Sequence, residues 1–195
     1  MSRKFRPSLY RWEMLPKLAL CFSFLFSLDH PVLHGNEVNA SAIAGGSHGV
    51  VLKTNGSLWT TGWNSVGQLG DGTTANKTTP VQILSSGVKA ISTGNQHTLY
   101  IKSDNTLWGM GNNSGGQLGD GTTTDRSSAV SIWNGNVSKV EGFYHTLFLE
   151  ANGTLYGGGY NSNGPLGNGT TTDQTSPIMV MDSNVSDFAA GSEHT

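Results

Sequence analysis

Short stretches in which apolar side chains occupy every second position recur along the chain. Val50 and Leu52 alternate with Val51 and Lys53, and the pattern returns at Leu99 and Ile101 and again at Leu147 and Leu149. A two-residue period sends successive side chains to opposite faces, so each stretch predicts a half-buried strand. A turn follows each one: Thr54-Asn55-Gly56, Asp104-Asn105 and Asn152-Gly153. Asn-Gly is a strong hairpin signal because both residues accept positive φ. The turns lead into second strands, at Ser57 to Thr61 and around Leu107 and Leu155. Beyond a glycine-rich segment, Val81 and Ile83, Val130 and Ile132, and Ile178 and Val180 predict third strands. Val88 with Ile91, Val137 with Val140, and Val185 with Phe188 predict fourth strands. No part of this pattern has the 3.6-residue period of a helix, which excludes helical solenoids.

The strands belong to a repeat. SLWTTGWNSVGQLGDGTT (Ser57 to Thr74), TLWGMGNNSGGQLGDGTT (Thr106 to Thr123) and TLYGGGYNSNGPLGNGTT (Thr154 to Thr171) superpose. Trp59, Trp108 and Tyr156 are spaced by 49 and 48 residues, as are Gly67, Gly116 and Gly164. His48, His97, His145 and His194 follow at 49, 48 and 49. The units cover about 44–92, 93–140 and 141–189, with a fourth opening at 190–195, so the chain is expected to belong to a longer reading frame. One four-stranded antiparallel sheet cannot bury both of its faces, whereas sheets stacked around an axis can. A period of ~40–50 residues is the usual sequence sign of that arrangement, the β-propeller. The fold class is therefore all-β, with four-stranded antiparallel blades.

Composition sharpens this picture. Of 195 residues only 12% are charged, while 27 are Gly, so the chain is rich in residues that reverse its direction. Residues 1–42 carry a net charge of +2 and the remainder −4, with no cluster of Lys or Arg in the repeats. Such a body is poorly suited to neutralising phosphates, and nucleic acid is not an expected partner. The basic start, MSRKFRPSLYR, precedes an uncharged run from Leu18 to Leu28, too short to span a bilayer but suited to a secretory signal. Ala40-Ser41-Ala42 has the small-x-small form of a cleavage site. The expectation is a signal segment at 1–42, a repeat domain at 43–195, and a secreted, periplasmic or cell-surface protein without stable membrane insertion after cleavage. Cys21 is the only cysteine and lies in the apolar run, so a mature chain would contain no disulfide.

The elements GQLGDGT, Trp-x-x-Gly-x-Asn upstream of it, and the Gly-x-x-His that opens each unit resemble the repeat of the regulator of chromosome condensation family, over about Ala44 to Thr195. The resemblance implies a propeller commonly of seven blades, of which this chain would supply three and the start of a fourth. If the chain were complete, the exposed faces at the ends of the stack would make ring completion by self-association the expectation. Pro165 and Asn168 depart from the Gln and Asp of the first two units.

Positions filled alike in every unit are read as architecture. This covers the four histidines, the aromatics Trp59, Trp108 and Tyr156, and the loop glycines Gly67, Gly70, Gly72, Gly116, Gly119, Gly121, Gly164, Gly167 and Gly169. Asp71 and Asp120 are lone carboxylates, replaced by Asn168 in the third unit, where calcium needs six to eight oxygens; turn capping is the better reading. No Lys-Ser/Thr follows the glycine-rich loop, so it is not a P-loop. No catalytic constellation, metal site or cofactor site is predicted. Variation concentrates between GDGT and the third strand, which makes Ala75, Asn76, Lys77, Thr78, Asp125, Arg126, Ser127, Asp173, Gln174 and Thr175 candidate contact residues. The leading expectation is an exported, non-enzymatic protein-binding scaffold. The family resemblance implies an alternative, guanine-nucleotide exchange on a small GTPase. A non-catalytic propeller attached to a polysaccharide-acting enzyme is a third reading.

Overall fold

A computed structural model describes residues 40–192 and 194. The apolar run and Cys21 lie outside the described residues. The first sheet contains β1 (Ala40–Gly45), β2 (His48–Lys53), β3 (Leu58–Gly62) and β4 (Lys77–Leu84). The second contains β5 (Val88–Thr93), β6 (His97–Lys102), β7 (Leu107–Gly111) and β8 (Arg126–Trp133). The third contains β9 (Val137–Gly142), β10 (His145–Glu150), β11 (Leu155–Gly159) and β12 (Gln174–Met181). Each sheet is a four-stranded antiparallel meander in chain order, and no helix occurs among the described residues.

The register repeats with the sequence. His48 pairs with Gly62, His97 with Gly111 and His145 with Gly159, so each Gly-x-x-His is locked to the same point of the next strand. Ala40 and Ala42 are already paired with Lys53 and Leu52, which places the 42/43 boundary inside β1.

One strand is allotted differently from the sequence reading. The segment at Val88 and Ile91, read as the fourth strand of the first unit, is β5 and opens the second sheet; β9 likewise opens the third. Each sheet therefore begins one strand earlier than its repeat unit. The three-residue link 85–87 looks like a hairpin turn but crosses between sheets, held at the tip of the preceding hairpin. Val88 N donates to Gly56 O at 3.1 Å and Ser103 N to Gly87 O at 2.8 Å. Val185 to Phe188, also expected as a strand, is irregular. Val185 N still donates to Gly153 O at 3.1 Å, the counterpart of the Val88 bond.

The cores lie between sheets and not within them. Val50, Leu52 and Leu58 of the first sheet meet Val88, Tyr100 and Met110 of the second. Leu99, Ile101, Leu107 and Ile132 of the second meet Val137, Val140 and Phe148 of the third. Leu147, Leu149, Leu155 and Leu166 are covered by Val185, Phe188 and Ala190. Fully burying one such side chain contributes about 1.5–3 kcal/mol, so stability resides mainly in these seams. β1 and β2 pack on β5, and β5 and β6 pack on β9, which brings the first strands together as the inner edges of a fan of wedges.

Two of the three repeated aromatics serve the same seams. Trp108 packs into the core between the first and second sheets, and Tyr156 into that between the second and third. Tyr156 stacks on Phe148 with ring centroids 5.3 Å apart. Trp59 and Trp108 donate from Nε1 to Ser57 Oγ and Thr106 Oγ1, and each carries a lysine ammonium, Lys53 or Lys102, over its ring.

Candidate functional site

One rim of the fan is built by the long loops 63–76, 112–125 and 160–173, together with the turns inside the Gly-x-x-His motifs. Its backbone is organised by Asn64, Asn113 and Asn161, all fully buried. In the second sheet Asn113 Nδ2 donates to Asp120 Oδ1 (3.0 Å), Thr122 O (3.1 Å) and Thr124 O (3.2 Å). Its Oδ1 accepts from Leu118 N at 2.9 Å, and its own backbone N donates to Asp125 Oδ1 at 2.8 Å. Asn64 and Asn161 repeat this arrangement with their own loops. The loop oxygens that invite a calcium reading thus converge on an amide nitrogen.

Asp71 and Asp120 close these loops. Burial acts to raise the Asp71 carboxyl, but Lys77, Thr73 and Asn64 outweigh it and hold its pKa at about 2. Lys77 Nζ lies 2.9 Å from Asp71 Oδ2, and Arg126 Nε donates to Asp120 Oδ2 at 2.8 Å. In the third unit Asn168 takes the position of the aspartate, and Gln174 that of the cation.

The first two loops also buckle onto the next sheet. Gly72 N donates to Ser127 O at 2.9 Å, and Gly121 N to Thr175 O at 2.8 Å. Gly116 has φ +81°, and a Cβ there would stand 2.7 Å from Thr175 Cα. Gly164, at φ +75°, would meet nothing within 4 Å. Gly116→Ala is therefore expected to cost about 3 kcal/mol through strain and displacement of β12, and Gly164→Ala about 1 kcal/mol through φ alone. Urea unfolding of the two variants measures the difference.

The repeated histidines form a second set of buckles. Thr98 Oγ1 donates to Gln68 O at 2.8 Å, so it accepts from His48 Nε2 at 2.7 Å. Thr146 Oγ1 donates to Gln117 O at 2.7 Å and accepts from His97 Nε2 at 3.3 Å. Both imidazoles are thereby Nε2–H tautomers, and a second proton would have to enter on a buried Nδ1 that has no partner among the described residues. Burial pushes His48 down to about 4, and it pushes His145, with His194 nearby, to about 4 as well. His97, buried and also facing His48 and His145, falls to about 3. A Cβ on Gly94 would lie 2.0 Å from His97 Cε1, which explains the glycine three residues before the histidine.

Many of the candidate contact residues are engaged in this framework. Asn76, Asp125 and Asp173 cap the hub asparagines, and Lys77 and Arg126 pair with the loop aspartates. Ser127 and Thr175 receive the buckle bonds through their carbonyls, and Ala75 O accepts from Asn64 Nδ2. Gln174 Nε2 bonds to Thr172 O in its own loop, and Thr78 is exposed on β4.

A different set of positions shares the rim's inner part while varying in chemistry. Between Gly and Asn of each unit stand Trp63, Asn112 and Tyr160, and within Gly-x-x-His stand Gly46-Ser47, Asn95-Gln96 and Phe143-Tyr144. Trp63 is 49% exposed and Tyr144 41%. Phe143 and Tyr144 meet edge-to-face at 4.8 Å, and Tyr144 and Tyr160 at 6.2 Å. A cavity of about 190 Å³ opens among Asn95, Gln96, Asn112, Gln117, Tyr144 and Tyr160, at the seam of the second and third sheets. These residues were within the sequence motifs as their unspecified positions. Among the described residues no group of three or more His, Cys, Asp or Glu is arranged to hold a metal ion.

Comparison with known proteins agrees with this architecture. No curated protein sequence matches the chain significantly. Among solved structures, human WBSCR16 superposes with a TM-score of 0.64 at 24% identity, over 72% of this chain and 37% of that one. Prp20p from Saccharomyces cerevisiae gives 0.64 at 21% identity, over 74% and 39%. The yeast RCC1 (Prp20) in its complex with Kap60 gives 0.65 at 21% identity, over 74% and 37%. The chain spans less than two-fifths of these structures, and at such identities the likeness establishes the propeller fold. Profiles of the regulator of chromosome condensation (RCC1) repeat match residues 55–101 and 152–195, and a second profile of that repeat matches 88–117. With its Asn hubs, histidine buckles and blade register repeating in step with those matches, the chain belongs to the RCC1 repeat family.

Proposed function

We propose that the chain is a non-enzymatic protein-binding module of an exported RCC1-type propeller, and that it engages its partner through the inner rim that carries Trp63 and Tyr144. The observation that carries this reading is a rim whose backbone is held alike in each unit while its outward side chains differ. A rigid scaffold with variable loop positions is how binding proteins separate folding from recognition. Exposed Trp and Tyr offer large contact area at low entropic cost, and such residues dominate binding energy in protein interfaces. Export is supported by the basic start and the apolar run from Leu18 to Leu28.

The structural neighbours are in keeping with a protein-binding role: one was described with its binding to Gsp1p and histones, and another is bound by Kap60. Family membership also supports a second reading, guanine-nucleotide exchange on a small GTPase. The test is affinity capture from the culture medium of the source organism, with the wild-type chain compared with Trp63→Ala and Tyr144→Ala. Capture of a discrete protein that falls at least about tenfold in the variants supports the proposal. Equal capture by all three chains removes the rim from the assignment, and accelerated release of labelled GDP from a small GTPase would favour the second reading.

A further inference from the structure

We infer that the cavity between the second and third sheets is a binding site for a neutral pyranose ring. The inference goes beyond the protein-binding reading and shares Tyr144 with it, while Trp63 belongs to that reading alone. Its basis is that the backbone here repeats one found at the preceding seam, whereas the side chains do not. Where the first seam has Gly46, Ser47 and Trp63, the second has Asn95, Gln96 and Asn112, faced across the cavity by Phe143, Tyr144 and Tyr160.

The framework uses little of this polar inventory. Asn112 Oδ1 accepts from Ser114 and from Gln117 Nε2, and Gln117 Oε1 accepts from Gly115 N at 2.8 Å. The side-chain amides of Asn95 and Gln96, the Nδ2 of Asn112 and the hydroxyls of Tyr144 and Tyr160 have no hydrogen-bond partner among the described residues. An Asn or Gln amide offers donors and acceptors together, which matches hydroxyl groups that both give and receive a proton. The aromatic rings supply the complementary surface, since the electron-rich face of a tyrosine attracts the polarised C–H groups of a sugar ring.

Charge and size narrow the class. No Lys, Arg, Asp or Glu lines the cavity, which gives a phosphate, a carboxylate or an ammonium no counter-ion. Its volume of about 190 Å³ is below the ~300 Å³ at which pockets for drug-sized ligands begin, so it accommodates one ring and not a nucleotide. The rings stand at 63° and 89° to one another, forming a corner that receives the face of a single ring and leaves its other face open to solvent or to the next unit of an oligosaccharide.

The experiment is saturation-transfer and amide-shift NMR on the full chain, with methyl β-D-glucopyranoside and N-acetylglucosamine as probes and inorganic phosphate as the charged control. The expected result is saturation of sugar ring protons and shifts in the Asn95, Gln96 and Asn112 side-chain amides, with a Kd on the order of 1 mM, a single-ring affinity. Tyr144→Ala and Asn112→Ala should each weaken it at least about tenfold; Tyr144→Ala should leave the melting midpoint unchanged because Tyr144 is exposed, and it carries the test on its own where Asn112→Ala, which unpairs Gln117 Nε2, lowers the midpoint. Trp63→Ala, which tests the protein-binding reading, should leave the sugar response intact, because Trp63 does not line the cavity. Absence of any response to either sugar at about 50 mM, or a response that survives Tyr144→Ala and Asn112→Ala, would overturn the inference. A response to phosphate equal to that of the sugars would overturn it as well.

Discussion

Asn113→Asp is expected to destabilise the chain by about 4 kcal/mol or more at neutral pH, against a typical domain stability of about 5–15 kcal/mol. The substitution preserves shape and keeps the Oδ1 that accepts from Leu118 N. It replaces one nitrogen by an oxygen at the point where Asp120 Oδ1, Thr122 O and Thr124 O lie 3.0, 3.1 and 3.2 Å away. The two N–H donors shared among these three acceptors are lost, and three oxygen–oxygen contacts take their place, one of them between two carboxylates. Because Asn113 is fully buried, water cannot screen the new charge. The neighbouring Asn112→Asp makes the same chemical change at a half-exposed position whose Nδ2 serves no loop, and a change within about 1 kcal/mol is expected there. Urea unfolding followed by far-ultraviolet circular dichroism compares the two. Equal midpoints would show that the asparagine hub does not hold the loop.

The second large effect is loss of stability in mild acid. His48, His97 and His145 are held neutral in the folded chain down to about 4, 3 and 4, whereas in the unfolded chain they take up a proton near 6.5. Their folded values are depressed, and the protonated form is the one that burial disfavours. The stability tied to neutrality is therefore complete above about pH 6.5 and declines as pH falls from there toward 4. Between those limits the unfolded state binds up to three more protons, a slope of about 4 kcal/mol per pH unit at its steepest. Denaturant titrations at pH 7, 6, 5 and 4 measure it. Stability that is flat from pH 7 to 5 would mean that the histidines are not sealed in the seams. Replacement of His97 by Gln removes one titrating group, and the slope should drop by about a third.

The strand pattern and the stacking of sheets were legible because each depends on local facts. Alternation at Val50 and Leu52 marks a half-buried strand, and a period just under fifty residues requires neighbours to cover both faces. The starting point of each sheet was not legible, since a periodic sequence carries no phase. Ser85-Ser86-Gly87 has the length and composition of a hairpin turn. Only the distant acceptor Gly56 O and donor Ser103 N direct it into the next sheet. For the rim, the sequence drew attention to segments such as Ala75 to Thr79, where letters change between units. Yet Asn76, Asp125 and Asp173 differ in name while presenting the same Oδ1 to a backbone N–H, so that variation is chemically silent. Trp63, Asn112 and Tyr160 differ in chemistry at one backbone position. Seeing them as a set required knowing that Gly62, Gly111 and Gly159 are pinned opposite the histidines.

The fastening between neighbours has a consequence for how such proteins diversify. The histidine-to-threonine bond and the glycine-to-carbonyl bond recur at both joins, and neither involves Trp63, Phe143, Tyr144 or Tyr160. A genetic exchange of one fifty-residue segment for another would carry matching couplings at both ends, and it would reassort the outward-facing groups together with part of the seam cores. Recombination of whole segments can thus vary the outward-facing chemistry of the rim while the couplings between neighbours are retained.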